Sequence, residues 1–183
     1  MAPSGAAPQP SAGARRDGQS GAMNAARVTI QTGDFDVSAE IVALRAGDGG
    51  VGAVASFIGT VRDRNEGGGA GVVQRMELEH YPGMTERAIE AMIDEAQARF
   101  DIRAARVIHR VGPLEIGEQI VLVVVSSAHR GQAFQACEFI MDYLKTDAPF
   151  WKKEHTAEGA RWVDARVSDD AAARRWGLKA SNA

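Results

Sequence analysis

The stretch ARVIHRVGPLEIGEQIVLVVVSSAHR, residues 105–130, is the most informative part of the chain about its fold. It contains two apolar runs separated by Gly112, Pro113 and Gly117, residue types that are typical of turns. Such runs, rich in valine and isoleucine, predict a strand, a turn and a long buried strand. The segment 131–146 then places its apolar residues at helical spacing, so a helix follows the buried strand.

The rest of the chain extends this pattern in both directions. Further strands are predicted from residue 27 and over 52–64, 72–81 and 160–167. A short helix closed by Gly47 and a longer one, with Thr85 as N-cap and an end near Phe100, complete the set. The sum predicts an α/β (α+β) fold, a sheet with helices packed mainly on one face.

Composition limits the classes of function. Hydrophobic residues make up 45% and charged residues 25% of the 183 residues, as in ordinary globular proteins. The formal net charge of −3 argues against a general nucleic-acid binder. The single cysteine, Cys137, excludes an internal disulfide and a cysteine-rich metal site. Without a disulfide or a recognisable secretory signal, the expected location is the cytoplasm.

The two ends of the chain differ from its middle. Residues 1–26 are rich in Pro, Gly, Ser and Ala, and they predict a disordered extension. Residues 27–167 form the predicted domain, and 168–183 are predicted to be a surface helix and tail. Within the domain, the glycine-rich run 66–71 predicts a flexible loop and lacks the pattern of a phosphate-binding P-loop.

Two places at strand ends carry cationic side chains. His129 and Arg130 stand where the buried strand gives way to a helix, a position that favours anions. The alternative is a surface pair that merely starts a helix, and the pattern alone leaves both interpretations open. Arg62 ends another apolar strand, where a lone arginine is more often simply solvated.

The segment YLKTDAPFWKKEH, residues 143–155, holds lysines against an aromatic turn. A helix ending at Thr146 must turn before Pro149, which would bring Lys152 back towards Lys145, with Phe150 and Trp151 as a wall. Two such ammonium groups suit anion binding or acid–base chemistry. The alternative is an ordinary helix end with lysines lying over aromatics.

Three other reactive residues fit structural roles better. His80 and His109 lie within strand patterns, without the spacing of a metal site. Cys137 lies on the apolar face of its helix, where cysteine behaves as a small hydrophobic residue. No metal site and no cofactor are predicted.

Several motifs of this chain resemble those of one family, the large catalytic subunit of molybdopterin synthase. The resemblance covers about residues 27–167. The motifs that carry it, in chain order, are SFIGTVRDRN, MELEHYPGMTE, VIHRVGPLEIGE, SSAHR, AFQACEFIMDYLKTDAPFWKKE and RWVDAR.

The resemblance implies an enzyme of molybdenum-cofactor biosynthesis. Such proteins convert cyclic pyranopterin monophosphate to molybdopterin by inserting two dithiolene sulfurs. The sulfur comes from the thiocarboxylated Gly-Gly C-terminus of a small ubiquitin-like partner. The resemblance also implies a homodimer of large subunits within a heterotetramer, and a hammerhead-type fold with a small antiparallel β part.

By motif, the resemblance implies roles for eight residues. Lys145 and Lys152 would be catalytic, Lys145 as the acid–base group and Lys152 holding the substrate or the tail carboxyl. The substrate-binding residues would be Arg62, His129, Arg130 and, less directly, Arg166, with His129 and Arg130 reaching in from the other subunit. Phe57 and Met141 would line the channel for the partner's tail.

Two other classes of function compete with this enzyme. A non-catalytic module that binds a carrier's tail or a nucleotide-like anion would keep the lysines for affinity alone. A nucleic-acid binder would use the basic and aromatic residues of 145–166, but four acidic residues in the same segment offset its five Lys and Arg.

Overall fold

The computed structural model describes residues 26–63, 73–157, 159–163 and 175–177. The glycine-rich loop, Arg166 and almost all of the predicted disordered extension and C-terminal tail lie outside these residues. In chain order the elements are β1 (Val28–Gln31), α1 (Val37–Arg45), β2 (Ala53–Thr60), β3 (Val73–His80), α2 (Met84–Arg99), β4 (Ala104–Arg110), β5 (Gly112–Glu115), β6 (Gln119–Ser127), α3 (Arg130–Thr146), β7 (Phe150–Thr156) and β8 (Gly159–Val163).

The first sheet has the strand order β1-β4-β6-β2, with β1 parallel to β4 and the other pairs antiparallel. Its centre is β6, where residues 121–127 are all buried because apolar side chains cover both faces. One face carries Val107 and Val123 against α2 and α3. The other carries Ile108 and Leu122 against α1. The predicted packing on one face is thus confirmed for the two long helices, while α1 covers the opposite face.

The second sheet has the order β5-β3-β7-β8 and is antiparallel throughout. Its inner face buries Met76, Leu78 and Leu114, with Val61 packed among them. This sheet confirms the small antiparallel part of the predicted fold. It matters for function because β7 carries the second half of the lysine segment.

The prediction of a simple turn between β4 and β6 is wrong. Gly112–Glu115 forms β5 and pairs with β3, so that Leu114 lies opposite Met76. Gly112 has a φ of 82°, which lets the chain leave the first sheet at once for the second. A four-residue strand containing a proline is too short for period-two alternation to reveal it.

Thr85 is not the N-cap of α2, as the sequence had suggested. The helix begins at Met84, two residues earlier than that N-cap would place it, and Gly83 is the capping residue, with its N–H donating to Glu86 Oε2 at 2.6 Å. Thr85 is instead fully buried inside the first turn. Its hydroxyl lies 3.1 Å from the carbonyl oxygen of Pro149, just before β7.

Candidate active site

Lys145 lies in the last turn of α3 and is exposed to solvent. The helix ends at Thr146, as predicted, and the Asp147 N–H donates to the Tyr143 carbonyl at 2.9 Å. Pro149 stops the helix because the residue before a proline is forced out of the α region. The C-terminal end of a helix carries partial negative charge, which attracts a cationic side chain placed there.

Lys152 lies in β7 and forms an ion pair that was not predicted. Its Nζ is 2.7 Å from Oε1 of Glu154, two residues further along the strand and therefore on the same face. The Glu154 side chain is 1% exposed and that of Lys152 is 29% exposed. The buried carboxylate holds the ammonium group in place while leaving part of it accessible. In a strand, the spacing Lys-x-Glu places both side chains on one face. This pattern would indicate the ion pair only if a strand were predicted at residues 150–156, and the sequence did not predict one.

The other lysine of the segment, Lys153, faces the opposite way. Its Nζ lies 5.3 Å from the ring centroid of Trp162, in a cation–π contact. Trp151 shares this outer face, because it is two residues from Lys153 on the same strand. The prediction that both aromatic residues wall Lys152 is therefore wrong for Trp151, and only Phe150 shares the face of Lys152.

Arg62 follows β2 and is exposed at the same end of the first sheet as Lys145. The end of β2 pairs with the start of β6, Thr60 opposite Gln119. Helix α3 runs back across β6, with Cys137 Sγ 4.0 Å from the Val123 carbonyl, so its C-terminal end approaches the start of β6. The topology therefore brings Arg62 towards Lys145, two cations that the sequence separates widely.

Phe57 and Met141 both lie on the α3 side of the first sheet. Phe57 lies on the edge strand β2, opposite Val123 of β6, and it is 39% exposed. Met141 is buried, one turn beyond Cys137 towards Lys145. Phe134, nearer the start of α3, is 65% exposed and adds to the apolar side chains left open on this side.

His129 and Arg130 lie at the other end of α3. His129 occupies the N-cap position, its backbone N–H donates to Ser127 Oγ at 3.2 Å, and both side chains are exposed. Fifteen residues separate Arg130 from Lys145, which at the helical rise is about 22 Å. One chain therefore does not bring the predicted His-Arg pair and the lysines into one small-molecule site.

Cys137 is 6% exposed, and burial raises the pKa of its thiol to about 11. At neutral pH the group stays protonated and is a poor nucleophile. This agrees with the interpretation of Cys137 as a small hydrophobic residue.

We expect Cys137→Ala to keep any catalytic turnover within about twofold of the wild type, because a protonated buried thiol is a poor nucleophile. The free energy of unfolding should fall by about 1 kcal/mol through the small cavity. Steady-state kinetics and urea unfolding measure the two effects. A loss of turnover without a matching loss of stability would contradict the assignment.

His109 lies between the two sheets, where its ring stacks on Phe150 with centroids 3.9 Å apart. Its Nδ1 lies 2.8 Å from the Arg110 carbonyl oxygen, which places the proton on Nδ1. Burial, with a smaller contribution from His80, lowers the pKa of His109 to about 4. The imidazole is neutral in the folded protein at physiological pH.

A lowered pKa makes stability depend on pH. The unfolded state binds a proton on His109 below about pH 6.5, whereas the folded state does so only near pH 4. The free energy of unfolding therefore decreases as the pH is lowered from about 6.5 to about 4. The loss attributable to His109 is at most about 3 kcal/mol. Urea unfolding of wild type and His109→Phe at pH 7 and about pH 4.5 measures it. Equal pH dependence in both proteins would contradict the assignment, since other groups titrate alike in each.

Within the described ranges, no group of three or more His, Cys, Asp or Glu side chains is placed to hold a metal ion. In the same part of the chain, none of the helices has the length and apolar character needed to cross a membrane.

Comparison with known proteins gives one consistent result. Residues 30–147 match the family described as "MoaE protein". The molybdopterin synthase catalytic subunit of Ralstonia nicotianae is 64% identical over 156 residues, 85% of this chain and 87% of that protein. The corresponding subunit of Vibrio cholerae is 56% identical over 150 residues, 82% of this chain and 97% of its own.

Solved structures agree with the sequence relatives. The molybdopterin biosynthesis MoaE protein of Burkholderia ambifaria superimposes with a TM-score of 0.71 at 55% identity, covering 84% of this chain and 99% of its own. Molybdopterin synthase from Staphylococcus aureus gives a TM-score of 0.67 at 29% identity, covering 74% of this chain and 96% of its own. A complex of subunits 1 and 2 of the Helicobacter pylori molybdopterin-converting factor shares the fold, with a TM-score of 0.63 at 22% identity, covering 77% and 92%.

Proposed function

Since this chain belongs to the MoaE protein family and is a molybdopterin synthase catalytic subunit, we propose that it converts cyclic pyranopterin monophosphate to molybdopterin by inserting two dithiolene sulfurs. The observation that carries the proposal is the turn at residues 147–149. It joins the end of α3, which bears Lys145, to β7, which bears Lys152 on its buried carboxylate.

The sulfur must come from another molecule. The chain contains a single cysteine, and burial keeps its thiol protonated. We propose that the donor is the C-terminal thiocarboxylate of a small ubiquitin-like partner subunit. The Helicobacter pylori structure is a complex of two different subunits, which supports a partner subunit for this chain as well.

The two lysines take different roles because their surroundings differ. Lys145 is exposed, and we assign it the proton transfers that accompany attack by sulfur on the pterin. Lys152 is held in place by Glu154, which suits its ammonium group to bind a carboxylate or thiocarboxylate. Placing a fixed cation beside the reacting tail lowers the cost of bringing two anions together.

The partner's tail would approach along the α3 side of β2. Phe57 offers exposed apolar surface there, with the buried Met141 on the same side of the sheet, and glycine residues at the end of the tail can pass close to Phe57. The same side leads towards Lys145. This gives the exposed Phe57 a reason to remain uncovered in the single chain.

Substrate binding requires a second copy of the chain. His129 and Arg130 are about 22 Å from Lys145 along their own helix. If they bind the same phosphorylated pterin as Lys145, Lys152 and Arg62, they must come from the other subunit of a homodimer. We therefore propose a central dimer of this chain with a small subunit on each copy, a heterotetramer.

Three further expectations from the sequence remain proposals. Arg166 is proposed to contribute to the anion site, and the domain is proposed to span residues 27–167. The proposed location of the protein is the cytoplasm.

One incubation tests this function. The protein is mixed with a thiocarboxylated ubiquitin-like carrier and cyclic pyranopterin monophosphate, and the mass of the pterin is followed over time. Gain of two sulfurs is the expected result. Tight binding of the carrier with no change in the pterin would instead indicate a module that only binds tails.

A further inference from the structure

We propose that Thr85 and His109 are positioning residues that hold Lys152 in register with Lys145. Thr85 contacts the turn between the two lysines, and His109 contacts the first residue of β7, which follows that turn. In the described contacts neither residue touches a lysine. We refer to the two contacts, Thr85 to Pro149 and His109 to Phe150, as the turn clamp. The catalytic meaning of the clamp rests on the proposed function, whereas its effect on lysine geometry does not.

The first contact comes from α2. Thr85 is fully buried, and its Oγ lies 3.1 Å from the carbonyl oxygen of Pro149 and 3.1 Å from that of Tyr81. The Tyr81 carbonyl already accepts from the backbone N–H groups of Met84 and Thr85, at 3.1 and 3.0 Å. The single hydroxyl proton of Thr85 is therefore assigned to the hydrogen bond with the Pro149 carbonyl oxygen. This hydrogen bond ties the turn to the start of a long, packed helix.

The second contact comes from the first sheet. The rings of His109 and Phe150 are stacked, with an angle of 19° between their planes. His109 lies on β4, an inner strand, and its Nδ1 donates to the Arg110 carbonyl, which fixes the ring orientation. Phe150 is the first residue of β7. The stack therefore joins the two sheets at the residue where the lysine-bearing strand begins.

These contacts can affect Lys152 because Lys152 lies two residues after Phe150 on the same strand. Phe150, Lys152 and Glu154 point to the same face of β7, at two-residue intervals. A shift of Phe150 moves the start of the strand and with it the ammonium group. Misplacement of a catalytic group by about 1 Å is enough to reduce turnover by about 100-fold. Neither Thr85 nor His109 lies near the lysines in sequence, which is why only the folded chain shows the link.

Two matched pairs of variants test the clamp by kinetics. Thr85→Val keeps the shape and removes the hydroxyl, whereas Thr85→Ser keeps it. His109→Leu removes the stacked ring, whereas His109→Phe keeps one. We expect the Val and Leu variants to lose about tenfold in kcat with KM within about twofold, and the Ser and Phe variants to stay within about threefold of the wild type. Thermal unfolding shows that each protein is folded at the assay temperature.

A second readout does not depend on turnover. Reductive methylation with ¹³C-formaldehyde labels lysine amines without removing their charge, and Lys145→Arg and Lys152→Arg variants assign the two signals. We expect Thr85→Val and His109→Leu to shift the Lys152 signal, and Thr85→Ser and His109→Phe to leave it unchanged. Unchanged signals in the folded Val and Leu variants would overturn the clamp. A wild type without turnover would overturn the proposed function instead, and the labelling result would still decide the clamp.

Discussion

Replacing Lys145 with alanine is expected to lower the rate of molybdopterin formation by at least about 100-fold, the usual contribution of a general acid–base group. Lys145 is exposed in the last turn of α3, so its removal deprives the site of a proton carrier without opening a cavity. The free energy of unfolding should change by less than about 1 kcal/mol. Single-turnover assays with the thiocarboxylated carrier measure the rate, and urea unfolding measures the stability.

Lys153→Ala is the matched control for this variant. Lys153 is a lysine of the same segment, but it lies on the outer face of β7 over Trp162. Its removal should leave the rate within about twofold of the wild type, since a cation on the outer face contacts no substrate. Equal losses in Lys145→Ala and Lys153→Ala would show that the segment acts through general charge, and the assignment of Lys145 would fail.

Glu154→Gln is expected to give the second large effect, because it removes the charge of a buried carboxylate and keeps its shape. The ammonium group of Lys152 would lose the partner that lies 2.7 Å away. Breaking a buried pair is strongly destabilising, and partial exposure of Lys152 reduces this to about 1–3 kcal/mol. We also expect turnover to fall by about tenfold or more, since a released Lys152 no longer holds the tail carboxyl in one place.

The carboxylate of Glu77 provides the control for Glu154. It lies on the outer face of the same sheet, with Oε2 3.2 Å from His155 Nε2, and its side chain is 34% exposed. A partly exposed pair contributes little, so Glu77→Gln should change stability by less than about 1 kcal/mol and leave turnover unchanged. If Glu154→Gln behaves like this control, the ion pair does not organise the site.

The sequence alone predicted the parts of this molecule that depend on periodicity and on motifs. The apolar runs around β6 indicated a buried strand, and the helical spacing after it located α3 and its end at Thr146. The motif containing both lysines is one of the motifs that pointed to the family. These features are local, and a local pattern is what a sequence displays directly.

The features that the sequence did not reveal are all products of tertiary contact. Thr85 fits the pattern of an N-cap, yet it is used to bind a carbonyl far along the chain. The pairing of Lys152 with Glu154 depends on β7 being a strand, which its pairing with β3 establishes. His109 was correctly taken as structural, but its contact with Phe150 joins two sheets and has no sequence signal.

The length of α3 separates two groups of predicted site residues. The resemblance implied that Arg130 reaches the lysine site from the other subunit, and the structure places Arg130 and Lys145 at opposite ends of one helix. A site that uses both must be built from two chains. Both the activity and the assembly proposed for this chain depend on that shared site.

Paired inactive variants test whether the site is shared between two chains. Lys145→Ala and Arg130→Ala chains carrying different tags are co-expressed, and the mixed dimer is isolated through both tags. Each parent dimer should be inactive, whereas the mixed dimer has one site with both residues intact and should recover about half of the wild-type turnover. A mixed dimer as inactive as its parents would show that Lys145 and Arg130 do not meet across two chains, and the shared site would be wrong.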